Sequence, residues 1–201
     1  MLSKKLFKLL EENKTKYEII GHKTVYTAYD VAATMKIKLN LIAKSLLIKF
    51  NKPFITGEKP YAIAIVPADK NIDLKRLVKV VSAHAVELNK KLRLQKPVAG
   101  KKPLVDIYNK VSKVSIPKEG DMKTKFKVKR GSMAAFGSIY KLPVFIDRAL
   151  KGTAVFSSGS FMESIKMKVG DFVKMENCMS GNFSAAKKLK KSKVKTKKKI
   201  K

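Results

Sequence analysis

The chain has 201 residues, 45% of them hydrophobic, with 46 basic against 15 acidic side chains and a formal net charge of +31. That length and apolar content fit one globular domain with a sizeable core plus extensions, and exclude a chain disordered throughout. The single cysteine, Cys178, excludes an internal disulfide and a cysteine-cluster metal site, and having only His22 and His84 argues against a histidine zinc site, so no metal is expected, and no cofactor-binding motif is found either.

The N-terminal stretch MLSKKLFKLL places leucines at helical spacing and predicts an amphipathic helix to about Glu12. It is too short and too charged for a secretory signal, and no apolar run nears the roughly 20 residues that span a bilayer, so a cytoplasmic protein is expected. Tyr17–Ile20 reads as a short strand. Thr27, with Asp30 three residues on, predicts a capped second helix. NLIAKSLLIKF over Asn40–Phe50 reads as a strand with apolar residues on both faces, ended by Lys52-Pro53. YAIAIV over Tyr61–Val66 predicts the next strand. Asp73 is expected to cap a helix from Leu74 to about Val81, and Val86–Leu88 reads as one more short strand.

From about Asn89 to Arg130 lysines crowd in and Pro97, Gly100, Pro103, Pro117 and Gly120 interrupt. This is a long loop or a small basic insertion with a strand or two of its own, and a possible contact surface. Order resumes with GSMAAFG over Gly131–Gly137. Strands follow at Val144–Asp147, Thr153–Phe156 and Ser164–Lys168, then a helix capped by Asp171 through Met175. There is no repeat of fixed period. Strands and helices intermix, and several strands lie too close together for helical crossovers. The predicted fold is therefore α/β (α+β), a single domain with a central mixed β-sheet flanked by helices. The domain is expected to span residues 1–180, with the basic insertion at about 90–130 and a disordered Lys-rich tail over 181–201.

Ten lysines fall between Lys187 and Lys201, where no acid occurs, yet the rest of the chain is strongly basic too. Such a protein attracts polyanions, in a cytoplasm chiefly nucleic acid. Only four of the basic residues are arginine, which suits loose phosphate contact better than bidentate base reading. Tail lysines such as Lys187, Lys188, Lys190, Lys191 and Lys193 are the candidates for that contact.

Lys44 shares a strand face with Leu46 and Ile48. A buried ammonium is costly, so it either snorkels out or faces a polar pocket. His22, between a strand end and a helix cap, is a ligand or base, or a hydrogen-bonding structural histidine. His84, read at a helix end, and Cys178 fit structural roles. Gly131 and Gly137 bracket Ser132, Met133, Ala134, Ala135 and Phe136, three of them small. Backbone amides there form either an oxyanion-binding turn or an ordinary one, and the same holds for Ser157–Ser160. No phosphate-binding Gly-Lys-Ser/Thr loop, dinucleotide fingerprint or G-x-S-x-G elbow is present.

The order of five segments is more specific. HKTVYTAYDVA, IAKSLLIK, AIAIVPADKNIDLKRL, GSMAAFGSIYKLPVFID and FSSGSFMESIKMKVGDFV resemble the YbaK/ProX family, in that family's order, from about Leu6 to Met175. The family comprises free-standing aminoacyl-tRNA deacylases and the related editing insertion of bacterial prolyl-tRNA synthetases. The resemblance implies a pocket that hydrolyses the ester of misacylated aminoacyl-tRNA without a metal, with Lys44 as the functional, substrate-positioning lysine. It further implies aminoacyl contacts from His22, Thr27, the 131–137 loop and Ser158, Gly159 and Ser160, with aminoacyl-tRNA and an aminoacyl-tRNA synthetase as partners. Gly131 matches the glycine of the family's G-x-x-x-P loop, but Ala135 stands where proline is usual. The competing readings are a non-catalytic tRNA- or synthetase-binding module and a non-specific nucleic-acid-binding protein that works through its tail.

Overall fold

Strand pairing sets the architecture, as described by a computed structural model for residues 3–94 and 106–187. The elements are α1 (Lys4–Glu12), β1 (Tyr17–Gly21), α2 (Ala28–Met35), β2 (Ile42–Phe50), β3 (Tyr61–Pro67), β4 (Lys70–Ile72) and α3 (Leu74–Leu94). They continue with β5 (Val114–Ser115), α4 (Glu119–Phe126), β6 (Val144–Asp147), β7 (Thr153–Ser157), β8 (Glu163–Lys168), α5 (Val169–Met175), β9 (Met179–Gly181) and β10 (Ser184–Ala186). The main sheet runs β1-β8-β7-β2-β3-β6-β9, with β5 paired to β2, and β10 pairs with β4 in a separate two-stranded sheet. β2–β3 is antiparallel while β2–β7 and β3–β6 are parallel, so the sheet is mixed, as expected.

The apolar runs of β2 and β3 are explained by burial on both sides. Tyr61, Ile63 and Ile65 join one core with Leu6 and Leu10 of α1 and Phe172 of α5. The alternate residues Ala62, Ala64 and Val66 join a second core with Leu77, Val81 and Ala85 of α3. A smaller cluster of Ala32, Ile42, Ala68 and Val155 seats α2. Thr27 and Asp30 form the expected reciprocal cap.

Several expectations are corrected. Val86–Leu88 is not a strand, because α3 continues to Leu94. Leu77, Val81, Ala85 and Leu88 recur at helical spacing on the sheet-facing side, and that packing overrides local β-propensity. His84 is therefore mid-helix, where its Nε2 meets the Ser180 carbonyl at 3.0 Å and ties α3 to β9. Asp171 lies in the first turn of α5 and Lys168 is the N-cap, since β8 runs directly into the helix. The basic stretch contributes β5 and α4. Residues 106–115 return along α3, where the Asn89 side chain bonds the backbone of Tyr108 in both directions and Ser82 does the same for Val111. The chain also stays regular past residue 180, through β9 and β10, with Phe183 fully buried. Of the expected tail lysines, only Lys187 falls within the described residues.

Candidate functional site

β2 pairs with β3 along Ala43–Lys49, but with β7 only at Ile42 and Ala43. Past that point the two parallel strands part, and Lys44–Leu47 line a cavity of about 660 Å³, within the usual range for small-molecule sites. Val25, Ile42, Leu47, Met133, Val155 and Phe156 give it apolar walls, while His22, Lys44, Ser157 and Ser160 supply polar groups.

Lys44 neither swings out to bulk water nor stands unpartnered. Its half-buried ammonium donates to the Lys70 carbonyl at 2.7 Å. An ammonium carries three donors, so two remain for a ligand. Burial holds its pKa below the ordinary lysine value, the Lys187 ammonium adds to that depression, and Asp69 opposes it.

His22 is fixed at both ring nitrogens, with Nδ1 3.0 Å from the Lys23 carbonyl and Nε2 2.9 Å from Ser164 Oγ. A carbonyl can only accept, so Nδ1 carries a proton and donates to it, while Nε2 and the serine hydroxyl pair with each other. This structural arrangement still leaves the ring on the pocket wall. Thr27 also lines the pocket, but its Oγ1 accepts from the Asp30 amide at 3.2 Å as the helix cap.

The 131–137 segment divides. Gly131 has φ +85°, and a Cβ there would lie 2.4 Å from the Tyr26 carbonyl oxygen, so glycine is required both by conformation and by close approach. Gly131 and Met133 line the pocket. Ala134, Ala135 and Phe136 are fully buried, and the amides of Ala134 and Ala135 donate internally, to the Tyr140 hydroxyl and the Ser157 carbonyl. Of the two readings of that turn, the ordinary one fits those two amides, because packing small apolar residues into the core requires their backbone to be satisfied within the fold. Gly137 is also buried, pressed against the Leu142 carbonyl and Val144. Ser132, Ser158 and Gly159 face a neighbouring cavity on the other side of the loop, and Ser160 borders both. Ser158 Oγ donates to the Glu163 carbonyl at 2.6 Å and accepts from the Ser160 amide at 3.2 Å, which shapes the turn.

Sequence reasoning missed two features of the pocket, and placed a third residue, Lys187, only in the basic tail. Ser45 Oγ is buried beside it with no hydrogen-bond partner among the described residues. Tyr26 and Tyr29 stand at its rim, 63% and 51% exposed, with Tyr26 packed on Phe161 at 5.0 Å between ring centroids. The two tyrosines in TVYTAYD were the available signal. Lys187 reaches the same rim, where its ammonium lies 4.2 Å from the Tyr29 ring centroid. Lys188, Lys190, Lys191 and Lys193 lie outside the described residues. Cys178 is elsewhere, and burial pushes its thiol pKa far up, in keeping with a structural residue. Among the described residues no group of three or more His, Cys, Asp or Glu is placed to hold a metal ion, and no helix is long and apolar enough to cross a membrane.

A search of curated proteins finds no sequence match. Among solved structures, a hypothetical protein matches with TM-score 0.66 and 13% identity over 90% of this chain and 100% of its own. A candidate trans-editing enzyme for prolyl-tRNA synthetase matches with TM-score 0.63 and 13% identity over 92% of this chain and 100% of its own. A candidate signal transduction protein from Marinobacter aquaeolei VT8 matches with TM-score 0.53 and 14% identity, over 92% of this chain but 31% of its own. At such identities the likeness is one of fold, a mixed α/β domain. Residues 22–98, the segment that supplies His22, Thr27 and Lys44 to the pocket, match the family model of the aminoacyl-tRNA editing domain.

Proposed function

We propose that this protein is a free-standing trans-editing enzyme that hydrolyses the ester bond of misacylated aminoacyl-tRNA. The observation that carries the reading is Lys44, a half-buried ammonium with donors to spare, set in a mostly apolar pocket within the segment that matches the editing-domain model. The pocket is large enough for an aminoacyl group with part of the terminal ribose, and its apolar walls suit discrimination by size. Lys44 holds the ester carbonyl or the adjoining phosphate, and a water attacks the carbonyl carbon. The bond from that carbon to the ribose oxygen breaks, and the ribose oxygen takes a proton, giving free amino acid and tRNA. The substrate's neighbouring ribose hydroxyl helps to relay that proton, in keeping with the structural hydrogen bonds that occupy His22. Lys44 positions substrate and is not a nucleophile. A synthetase is the natural partner for such trans-editing.

Hydrolysis of a panel of misacylated tRNAs tests this. Lys44→Ala is expected to lower kcat/KM by about 100-fold, the scale of losing one charged positioning contact in a desolvated site. Equal activity of the variant and the wild type would remove Lys44 from the mechanism. One observation favours a second reading, a non-catalytic tRNA- or synthetase-binding module: the Ala134 and Ala135 amides are committed inside the fold. Wild-type protein that binds tRNA but releases amino acid from no member of the panel would establish that alternative.

A further inference from the structure

The strand β10 brings the chain back to Lys44. It pairs with β4 in the register Ser184↔Ile72 to Ala186↔Lys70. Phe183 is fully buried, and the buried carboxylate of Asp147 accepts from the Phe183 amide at 2.6 Å, the Ser184 amide at 2.7 Å and the Ser184 hydroxyl at 2.9 Å. Lys187 follows directly on this anchored strand. Its ammonium donates to the Ala68 carbonyl and the Tyr29 hydroxyl, while that of Lys44 donates to the Lys70 carbonyl. The two cations thus sit on carbonyls either side of Asp69, and their charges act against each other. A like-charged pair held at a pocket mouth is relieved by an anion that contacts both.

We propose that Lys187 is a second substrate-positioning cation, which with Lys44 seats a phosphodiester at the mouth of the pocket beside Tyr29. The inference deepens the deacylase reading, under which that group is the last phosphodiester of the tRNA 3′ end. It also gives Lys187 a role beyond its charge, since Lys187 follows directly on the anchored strand β10.

The test is equilibrium binding of the trinucleotide CCA and of adenosine, which lacks phosphate, to the full chain at fixed salt. Lys187→Ala is expected to weaken CCA binding by about 5- to 10-fold, the scale of one charge-assisted hydrogen bond, and to leave adenosine binding unchanged. Lys187→Arg should stay within about 2-fold of wild type, and Lys195→Ala, which removes the same charge elsewhere, should cost less than about 2-fold. Three results would each overturn the proposal: CCA binding unaffected by Lys187→Ala, equal losses from Lys187→Ala and Lys195→Ala, or no CCA binding by the wild type. Lys187-dependent CCA binding by a protein that hydrolyses no misacylated tRNA would sustain the phosphodiester seat while rejecting the deacylase reading.

Discussion

Lys44 shows how much one residue's surroundings add to its identity. The depressed pKa has a direct kinetic consequence if the ammonium is the working form. Loss of a proton removes the donor, so enzyme-dependent hydrolysis should fall as pH rises through a pKa below the ordinary lysine value of 10.5. Lys187→Ala removes a like charge, which favours the ammonium of Lys44 and should move this alkaline limb upward. pH–rate profiles of both proteins, corrected for spontaneous ester hydrolysis, measure the displacement; a downward move would contradict the charge arrangement. The candidate role of Lys44 was legible in sequence only through the order of the surrounding motifs, because an isolated lysine on an apolar strand face is equally compatible with snorkelling. Its acceptor, the Lys70 carbonyl, was not legible, since a backbone carbonyl leaves no mark in the side-chain pattern.

Among the elements, those with strong local signals were read correctly. β2, β3, β6 and β7 are rich in β-branched and aromatic residues, β8 alternates apolar and charged side chains over Ile165–Lys168, and α2 carries a complete capping pair. α3 was cut short because VVSAHAVEL is rich in valine, and only its packing on the sheet settles it as helix. β9 and β10 gave no periodic signal: NCMSGNFSAA has one large apolar anchor, Phe183, and its strand character comes from partners far away in sequence. The 131–137 segment was read as one gripping loop, whereas alternate demands of core and pocket divide it between them. The Asp147 latch permits a test at this scale. Asp147→Ala strands the Phe183 and Ser184 amides without their acceptor and should lower unfolding stability by about 3 kcal/mol in denaturant titrations. Deacylation should fall with it even where the protein is still folded, because β10 carries Lys187 to the pocket. A folded Asp147→Ala protein with wild-type kinetics would disconnect the latch from the site.

For the whole molecule, composition was informative about partner class and silent about architecture. A net charge of +31 selects a polyanion, but charge alone does not distinguish a pocket lysine from a tethering one. Single-strand-like phosphates released from about six lysines predict a slope near −4 for log K of tRNA binding against log salt concentration. Deleting residues 188–201 should flatten that slope while leaving hydrolysis at saturating tRNA largely intact; a slope unchanged by the deletion would place the electrostatic contacts on the folded body instead.

The pairing of β10 with β4 also bears on timing. Lys44 and its strand are made well before β10, but β4, whose Lys70 carbonyl holds the ammonium, is completed as a two-stranded unit only by residues 184–186. Contacts so distant in sequence form late. A nascent chain can therefore assemble much of its sheet while its pocket still lacks Lys187 and the strand that braces Lys44's acceptor, so that the pocket mouth is complete only once residues 184–187 have cleared the ribosome.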